Sequence, residues 1–366
     1  MMSVAPIGLF RSTDNRPTMQ IANRLIGLNQ RPYLIAEMSG NHNQSLARAL
    51  AIVDAAAAAG ADAVKLQTYT ADTMTLNVQM PGFFIEDPDS LWAGRQLHAL
   101  YHEAHTPWEW HMPIMERAAT HGLHCFSSPF DETAVDFLES LSVPAYKIAS
   151  FEVTDTRLIR RVARTGKPMI ISTGMATVGE IDSAVRIARE GGCQDLILLK
   201  CTSTYPATAA NTNILTIPHL RGLFGCEVGL SDHTMGCGVA VAATALGATL
   251  IEKHFTLARV EGGVDASFSM EPTEFAQLRA ETERAAQALG QVRYGPTAAE
   301  QPSLAFRRSL YIALDAKAGD VLTPANLRCV RPGFGMEPRF METVMGMRLR
   351  RDAVAGTPLS WDLLVA

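Results

Sequence analysis

The segment GLSDHTMG (229–236) begins on apolar residues and then places a serine, an aspartate, a histidine and a threonine in a row. The segment ATLIEKHF (248–255) repeats the arrangement, because its apolar residues also lead to a histidine. Apolar runs of this length predict short strands that are buried on both faces. Two such strands close together in the chain predict a parallel sheet with functional side chains at the carboxyl ends of its strands.

The same pattern recurs from residue 33 to about residue 290. Strands are predicted at 33–36, 63–66, 124–126, 146–149, 169–171, 196–199, 227–230 and 249–253. Helical spacing of apolar residues lies between them, for example at 45–59, 132–141, 178–190 and 236–246. Eight strands, most of them followed by a helix, predict an α/β protein with a (β/α)8 TIM barrel. A doubly wound open sheet is the alternative, although it favours an early GxGxxG turn that the sequence lacks.

The chain divides into four predicted segments: an N-terminal extension at 1–30, the barrel at 31–290, a linker at 291–304 and a small β-rich domain at 305–366. The small domain, with a strand expected at 310–314, is too short to hold the main chemistry alone. A long insert at 68–122 interrupts the barrel pattern and is predicted to lie at the barrel mouth. Its aromatic residues either cover a ligand or pack the insert onto the barrel, and they are Trp92, Tyr101, Trp108 and Trp110.

Composition excludes several classes of function. Hydrophobic residues make up 47% of the chain, charged residues make up 19%, and the net charge is −5, which is typical of a globular protein without a nucleic-acid partner. The six cysteines form no CxxC pair, which predicts free thiols in a reducing cytoplasm. No apolar run is long enough to span a bilayer, and the N-terminus has no signal-peptide pattern, so no membrane partner is expected.

Polar residues close every predicted barrel strand, at the face where TIM barrels carry their active sites. In chain order they include Glu37, Lys65, Gln67, Ser128, Lys147, Ser150, Glu152, Ser172, Lys200, Tyr205, Ser231, Asp232, His233, Glu252, Lys253 and His254. Any one of them is more often a solvated, paired or structural residue, but eight polar strand ends together favour one active site. Lysines with hydroxyls suit a phosphate and a carboxylate. Two histidines alone suit an exchangeable Mn²⁺ or Mg²⁺ better than a permanent Zn²⁺.

Longer motifs carry a resemblance to a known family. In chain order they are IAEMSGNHNQS, GADAVKLQTYTADTMTL, CFSSPF, AYKIASFE, STGMAT, LKCTSTYPA, EVGLSDHT and IEKHF. With these motifs, the chain resembles the sialic acid synthase family. The resemblance extends to RRSLYIALDAKAGDVLTPANLRCVRPGFG, which is similar to the SAF (antifreeze-like) domain that ends those enzymes. It implies a TIM-barrel enzyme that condenses phosphoenolpyruvate with an N-acetylated amino sugar to give a nine-carbon sugar acid.

Three stretches indicate a branch of that family. QTYTADTMTL, LWAGRQLHALYHEAHTPWEWH and the SFE of AYKIASFE resemble the branch that uses 2,4-diacetamido-2,4,6-trideoxy-L-altrose. The implied products are pseudaminic acid and phosphate. Synthases of sialic acid and of legionaminic acid, which take other N-acetylated amino sugars, stay as alternatives at this point.

The resemblance also implies roles for matching residues. The phosphoenolpyruvate-binding positions are matched by Lys65, Ser128, Lys147, Ser150, Ser172 and Ser231. The sugar-contacting positions are matched by Glu37, Gln67, Glu152, Tyr205 and Asp265. The ligands of a divalent metal, Mn²⁺, Mg²⁺ or Co²⁺, are matched by His233 and His254. Arg331 matches an arginine that one subunit lends to the sugar site of the other, which implies a domain-swapped homodimer. Ser128 stands where sialic acid synthases commonly have threonine.

The implied reaction is attack of C3 of phosphoenolpyruvate on the sugar aldehyde, addition of water at C2, and release of phosphate by C–O cleavage. Lys65 and Lys147 are expected to hold the anion, beside a metal on His233 and His254 that polarises the aldehyde. Glu37 is expected to handle a proton or to grip sugar hydroxyls. Glu252 is expected either to orient a metal-bound water or to pair with a barrel lysine.

Other functions compete with this one. A Schiff-base keto-acid aldolase would use Lys147 or Lys200 as its nucleophile and would need no metal. A synthase acting on a phosphorylated sugar would need a second phosphate site with extra arginines, and the strand ends carry no obvious arginine pair. A non-catalytic sugar-binding or ice-binding module would depend on the terminal domain alone.

Overall fold

The structure, a computed structural model, describes residues 19–365. Residues 1–18 of the predicted N-terminal extension therefore lie outside the described part of the chain. The remainder of that segment forms an antiparallel hairpin of two short strands, β1 (Met19–Ile21) and β2 (Arg24–Ile26). Its buried side chains, Met19, Ile21 and Ile26, belong to the same hydrophobic core as the barrel.

Eight parallel strands close into a barrel. They are β3 (Tyr33–Glu37), β4 (Ala63–Thr68), β5 (His124–Pro129), β6 (Tyr146–Ile148), β7 (Met169–Ser172), β8 (Leu196–Cys201), β9 (Glu227–Ser231) and β10 (Leu250–His254). The strands follow one another in chain order, and β10 pairs with β3 to complete the circle. The prediction of a TIM barrel is confirmed, and the alternative of an open sheet is wrong.

Helices connect the strands and surround the barrel. They are α1 (Leu46–Ala58), α2 (Ala71–Met74), α3 (Leu97–Ala104), α4 (His111–Thr120), α5 (Glu132–Ser140), α6 (Thr156–Ala163), α7 (Val178–Glu190), α8 (Thr216–Phe224), α9 (Gly238–Ala245) and α10 (Pro272–Ala288). The insert predicted at 68–122 contains α2, α3 and α4 between β4 and β5. Among the described helices, none is long and apolar enough to cross a membrane.

Local sequence explains where these elements begin and how closely the strands approach. Ser45 and Asp131 cap α1 and α5 by accepting hydrogen bonds from the backbone N–H groups of the first turn. Thr177 forms a capping box at the start of α7. In the barrel wall, a Cβ at Gly229 would overlap the carbonyl oxygen of Leu250. Glycine at this position therefore allows β9 and β10 to pair closely.

The described residues from 292 to 365 form a second compact unit. It contains an antiparallel pair, β11 (Ser309–Ile312) and β12 (Leu327–Val330), and one short helix, α11 (Met341–Val344). Its separate core includes Leu310, Leu327 and Leu349. The predicted β-rich C-terminal domain is confirmed, while the boundaries given for the extension, barrel and linker stay predictions.

Candidate active site

One cavity lies among the carboxyl ends of the barrel strands. Its lining contains most of the residues singled out in the sequence, namely Glu37, Lys65, Gln67, Ser128, Lys147, Ser150, Ser172, Tyr205, Ser231, His233 and His254. Strand register explains why distant motifs meet here, because β3 pairs Glu37 with His254 on one side and with Lys65 on the other. Glu252 also lines the cavity, as do three residues without a predicted role, Ala149, Phe151 and Cys201.

The two lysines of the cavity are interleaved with two carboxylates. The Lys65 ammonium lies 2.6 Å from Glu37 Oε2 and 3.8 Å from Glu252 Oε1. The Lys147 ammonium lies 3.1 Å from the same Glu252 oxygen. All four side chains are buried. Of the two expectations for Glu252, the ion pair with a barrel lysine is the one that the structure contains.

Burial and these charges shift the pKa values of the four groups. Burial raises the pKa of Glu37, and the Lys65 ammonium opposes the rise only in part. Burial also disfavours ionisation of Glu252, but Lys147 and Lys65 outweigh it and lower the pKa of that carboxyl. The pKa of Lys147 is lowered, chiefly by burial. The cavity therefore holds two ammonium groups whose charge is already partly offset before any anionic ligand arrives.

Four serine hydroxyls surround the lysines. Ser128 Oγ accepts a hydrogen bond from Lys65 Nζ at 3.3 Å, and Ser150 Oγ accepts one from the backbone N–H of Gly174 at 3.1 Å. Ser231 Oγ lies 3.4 Å from Glu252 Oε1, to which it donates. These hydroxyls come from the ends of different strands, together with Ser172 on β7. A cradle of hydroxyls and ammonium groups is suited to phosphate oxygens.

Several buried polar atoms around the cavity lack a hydrogen-bond partner in the part of the chain that the structure describes. They include Ser172 Oγ, Glu252 Oε2 and His254 Nδ1, on residues that line the cavity, and Glu152 Oε2, next to the lining residue Phe151. Most buried polar groups in proteins are paired, so a group of unpaired atoms around one cavity points to a ligand that pairs with them.

The two predicted metal ligands face each other. The ring centroids of His233 and His254 are 5.4 Å apart. His233 Nδ1 donates to the carbonyl oxygen of Thr202 at 2.9 Å, which leaves Nε2 as the unprotonated ring nitrogen when the imidazole is neutral. Such a backbone contact is the usual support of a metal-binding histidine. Burial, followed by the positive charges nearby, lowers the pKa of His254 well below its ordinary value.

Two side chains with predicted sugar contacts, Asp265 and Tyr205, lie next to the histidines. Asp265 Oδ2 is 3.6 Å from His254 Nδ1, and the Tyr205 ring centroid is 4.5 Å from that of His233. Glu152 follows the cavity residue Phe151, and burial raises the pKa of its carboxyl to about 7. Arg331 belongs to the second unit, where it directly follows β12 and is exposed, so its role at the site stays a prediction.

The aromatic residues of the insert differ in what they contact. Trp92 Nε1 donates to the carbonyl oxygen of Val264, and its ring centroid lies 5.8 Å from that of Tyr205. In contrast, Trp108 stacks on Phe137 on α5 with centroids 4.6 Å apart. Of the remaining two, Trp110 packs against His42 and Tyr101 packs against Tyr69. Trp92 is therefore beside the site, Trp108 and Trp110 pack the insert onto the barrel, and Tyr101 packs within the insert.

The sequence analysis placed Asp232 and Lys253 among the strand-end residues of one active site, but in the structure they form a buried ion pair with each other and are not among the residues that line the cavity. The Lys253 ammonium donates to Asp232 Oδ2 at 2.9 Å and to the carbonyl oxygens of Thr234 and Gly236 at 2.6 and 2.9 Å. Asp232 Oδ1 in turn accepts from the N–H and hydroxyl of Thr234. This fully paired network fixes the loop that carries His233. Strand alternation was the available signal, because Lys253 stands between Glu252 and His254 and must point to the opposite face.

Two known protein families match the sequence of this chain. The sequence matches the NeuB family over residues 52–294 and the SAF domain over residues 307–365. The chain belongs to the NeuB family, and it is an enzyme of the phosphoenolpyruvate-dependent nonulosonic acid synthase class.

Three relatives of the chain are named for synthesis of three different sugar acids. A pseudaminic acid synthase of Campylobacter jejuni is 42% identical over 93% of this chain and 98% of its own length. An N,N'-diacetyllegionaminic acid synthase of Legionella pneumophila is 36% identical, covering 91% of this chain and 95% of its own. The solved N-acetylneuraminic acid synthetase of Leptospira borgpetersenii superposes with a TM-score of 0.69 at 32% identity, covering 79% of this chain and 95% of its own.

Proposed function

We propose that this enzyme condenses phosphoenolpyruvate with 2,4-diacetamido-2,4,6-trideoxy-L-altrose to give pseudaminic acid and phosphate. The observation that carries the chemistry is the single cavity in which Lys65 and Lys147 lie among serine hydroxyls and beside two histidines. The choice of sugar is supported by the pseudaminic acid synthase of Campylobacter jejuni, which is 42% identical over nearly its whole length.

Phosphoenolpyruvate is proposed to bind where the lysines and serines converge. Ser128, Ser150, Ser172 and Ser231 offer hydroxyls to phosphate and carboxylate oxygens, and the unpartnered Ser172 Oγ has no competing acceptor among the described residues. Lys65 and Lys147 supply fixed positive charge close to the departing phosphate. The anion would replace part of the contact that Glu252 now makes with both lysines.

The site is also suited to a divalent cation held by His233 and His254. The observation that supports this fit is the unpartnered, buried Nδ1 of His254, opposite a His233 ring whose Nδ1 is held by a backbone carbonyl. Among the described residues, no group of three or more His, Cys, Asp or Glu side chains is arranged to hold a metal. We propose Mn²⁺ or Mg²⁺, with Co²⁺ as a further candidate. When bound, such a cation would act as a Lewis acid toward the aldehyde oxygen.

The reaction can be written from the substrates. C3 of phosphoenolpyruvate forms a bond to the aldehyde carbon of the open-chain sugar, and the aldehyde oxygen takes a proton to become a hydroxyl. Water adds at C2 and loses a proton, and breakage of the C2–O bond releases phosphate and leaves the keto acid. Glu37, whose pKa is raised by burial, is proposed to hold the proton that moves at one of these steps.

Gln67, Glu152, Tyr205 and Asp265 are proposed to grip the sugar on the side of the cavity next to the histidines. We also propose a homodimer in which Arg331 of one subunit reaches the sugar site of the other. Exposed apolar side chains at the barrel mouth support a covering partner, since Phe151, Met175 and Met235 are 61%, 62% and 51% exposed. Mixing inactive Arg331→Ala and His254→Ala subunits would restore partial activity under this arrangement and none without it.

A cytoplasmic location is proposed from the six cysteines, all of which are free thiols. The legionaminic acid synthase of Legionella pneumophila supports a second candidate substrate, because it is only modestly less similar to this chain.

Three parallel incubations test the proposed substrate. The purified enzyme would receive phosphoenolpyruvate and Mn²⁺ with 2,4-diacetamido-2,4,6-trideoxy-L-altrose, with its 6-deoxymannose-type isomer, or with N-acetylmannosamine. Phosphate release and product mass are measured in each. Turnover of the altrose derivative alone is the expected result. Preference for another sugar would overturn the pseudaminic assignment, and borohydride trapping of the protein on pyruvate would instead support the aldolase.

A further inference from the structure

Ser39 has an unusual position in the turn that follows β3. Its side chain is 4% exposed, and its backbone has a φ of 45°, in the left-handed region that residues other than glycine rarely occupy. Non-glycine residues in this region cost stability and are concentrated at functional sites. A serine that is both buried and held in this conformation therefore calls for a contact made by its hydroxyl.

The hydroxyl bridges two residues with proposed sugar contacts. Ser39 Oγ donates to Asp265 Oδ2 and accepts from Gln67 Nε2 at 3.2 Å. These two partners come from the two neighbours of β3 in the barrel, since Gln67 lies on β4 and Asp265 lies in the loop after β10. Only a group that donates and accepts at once satisfies both, and a hydroxyl does so.

The contact also fixes how Gln67 is presented. Its Nε2 donates to Glu37 Oε1 at 2.8 Å as well as to Ser39 Oγ. Both amide hydrogens are thus directed at protein acceptors, so the carbonyl Oε1 is the end left for a ligand. Without Ser39, one amide hydrogen loses its acceptor, and Asp265 Oδ2 loses the hydroxyl that holds it 3.6 Å from His254 Nδ1.

We propose that Ser39 is a positioning residue that sets the orientation of Gln67 and Asp265 and thereby the affinity for the sugar. The inference rests on the proposed sugar-binding role of those two side chains. It concerns the sugar and not phosphoenolpyruvate, because the lysines and serines of the cavity make no hydrogen bond to Ser39 in the described residues.

Two substitutions separate positioning from stability. Ser39→Ala removes the hydroxyl and keeps the backbone strain, whereas Ser39→Gly removes the hydroxyl and relieves the strain. We expect both to raise KM for the sugar about tenfold or more, as for loss of a hydrogen bond to a charged group. KM for phosphoenolpyruvate should stay within about twofold of the wild-type value, because Ser39 makes no hydrogen bond to the side chains proposed to bind this substrate. The melting temperature of Ser39→Gly should exceed that of Ser39→Ala.

Ser269→Ala is the matched control. Ser269 is buried in the same loop as Asp265, donates to its backbone carbonyl at 2.7 Å and accepts from Asn41 at 2.9 Å, but does not contact its carboxylate. Its substitution should lower the melting temperature without the rise in KM for the sugar. An equal rise in this control, or an unchanged KM in both Ser39 variants, would overturn the proposal.

A crystal structure of the Ser39→Ala variant tests the positioning role of Ser39 without a measurement of turnover. We expect the Asp265 carboxylate to turn away from its wild-type position, and an unmoved carboxylate would overturn the inference. Failure of wild-type enzyme to turn over any sugar would instead count against the proposed function alone.

Discussion

Replacing Glu152 with glutamine should remove a stability cost that depends on pH. Burial raises the pKa of this carboxyl from 4.5 to about 7, and its Oε2 has no hydrogen-bond partner among the described residues. A raised folded-state pKa means that the folded protein holds the proton more tightly than the unfolded chain. The free energy of unfolding therefore falls as pH rises from about 4.5 to about 7. At pH values above about 7, the whole of this loss of stability is present.

The magnitude follows from the shift. A difference of about 2.5 pKa units corresponds to roughly 3 kcal/mol at about 1.4 kcal/mol per unit. Glu152→Gln should therefore gain roughly 3 kcal/mol over wild type between pH 4.5 and pH 8. Urea unfolding of the barrel, followed by circular dichroism at several pH values, measures this difference. Glu190→Gln, at an exposed position that ends α7, is the control. Parallel curves for wild type and Glu152→Gln would refute the reasoning.

Three further perturbations have defined outcomes. A Cβ on Gly174 would overlap Ser203 Oγ and lie 2.7 Å from Ser150 Oγ, so Gly174→Ala should displace both hydroxyls and raise KM for phosphoenolpyruvate. An unchanged KM would contradict the role of Ser150. Lys253→Met leaves the Asp232 carboxylate buried without its ion-pair partner, which should lower the free energy of unfolding in urea by about 3–5 kcal/mol. A decrease below about 1 kcal/mol would show that the ion pair does not hold its loop. Chelation should abolish phosphate release and added Mn²⁺ should restore it, whereas activity that survives metal removal would overturn the metal proposal.

The barrel was predictable because its strands are buried on both faces and read as short apolar runs. Predicted and observed strands begin at the same residue in all but the last case, where 249 precedes the observed start of β10 (Leu250–His254). The predicted C-terminal ends of the barrel strands were less accurate than their starts. The strand predicted at 63–66 continues to Thr68, because Lys65 and Gln67 face the cavity while still in the strand. A polar residue inside a functional strand resembles the end of a strand in sequence.

The strand-end rule also found most of the cavity lining, since parallel strands bring their carboxyl ends together. Contacts made by loops were not predictable in this way. Ser39 meets Asp265 across 226 residues of chain, and Trp92 meets Val264 across 172. No periodicity in the sequence relates such pairs, because they depend on how the insert and the loop after β10 pack over the barrel mouth.

The central claim, condensation with cleavage of the C–O bond, is tested most directly by finding which product contains the bridging oxygen of phosphoenolpyruvate. Phosphoenolpyruvate labelled with ¹⁸O at the oxygen that bridges C2 and phosphorus would be incubated with enzyme, Mn²⁺ and the altrose derivative, and both products would be analysed by mass spectrometry. Condensation with C–O cleavage in this cavity predicts that the label appears in inorganic phosphate and that the C2 oxygen of the sugar acid comes from water. Label retained in the sugar acid, or no phosphate released from a folded and metal-loaded enzyme, would contradict it.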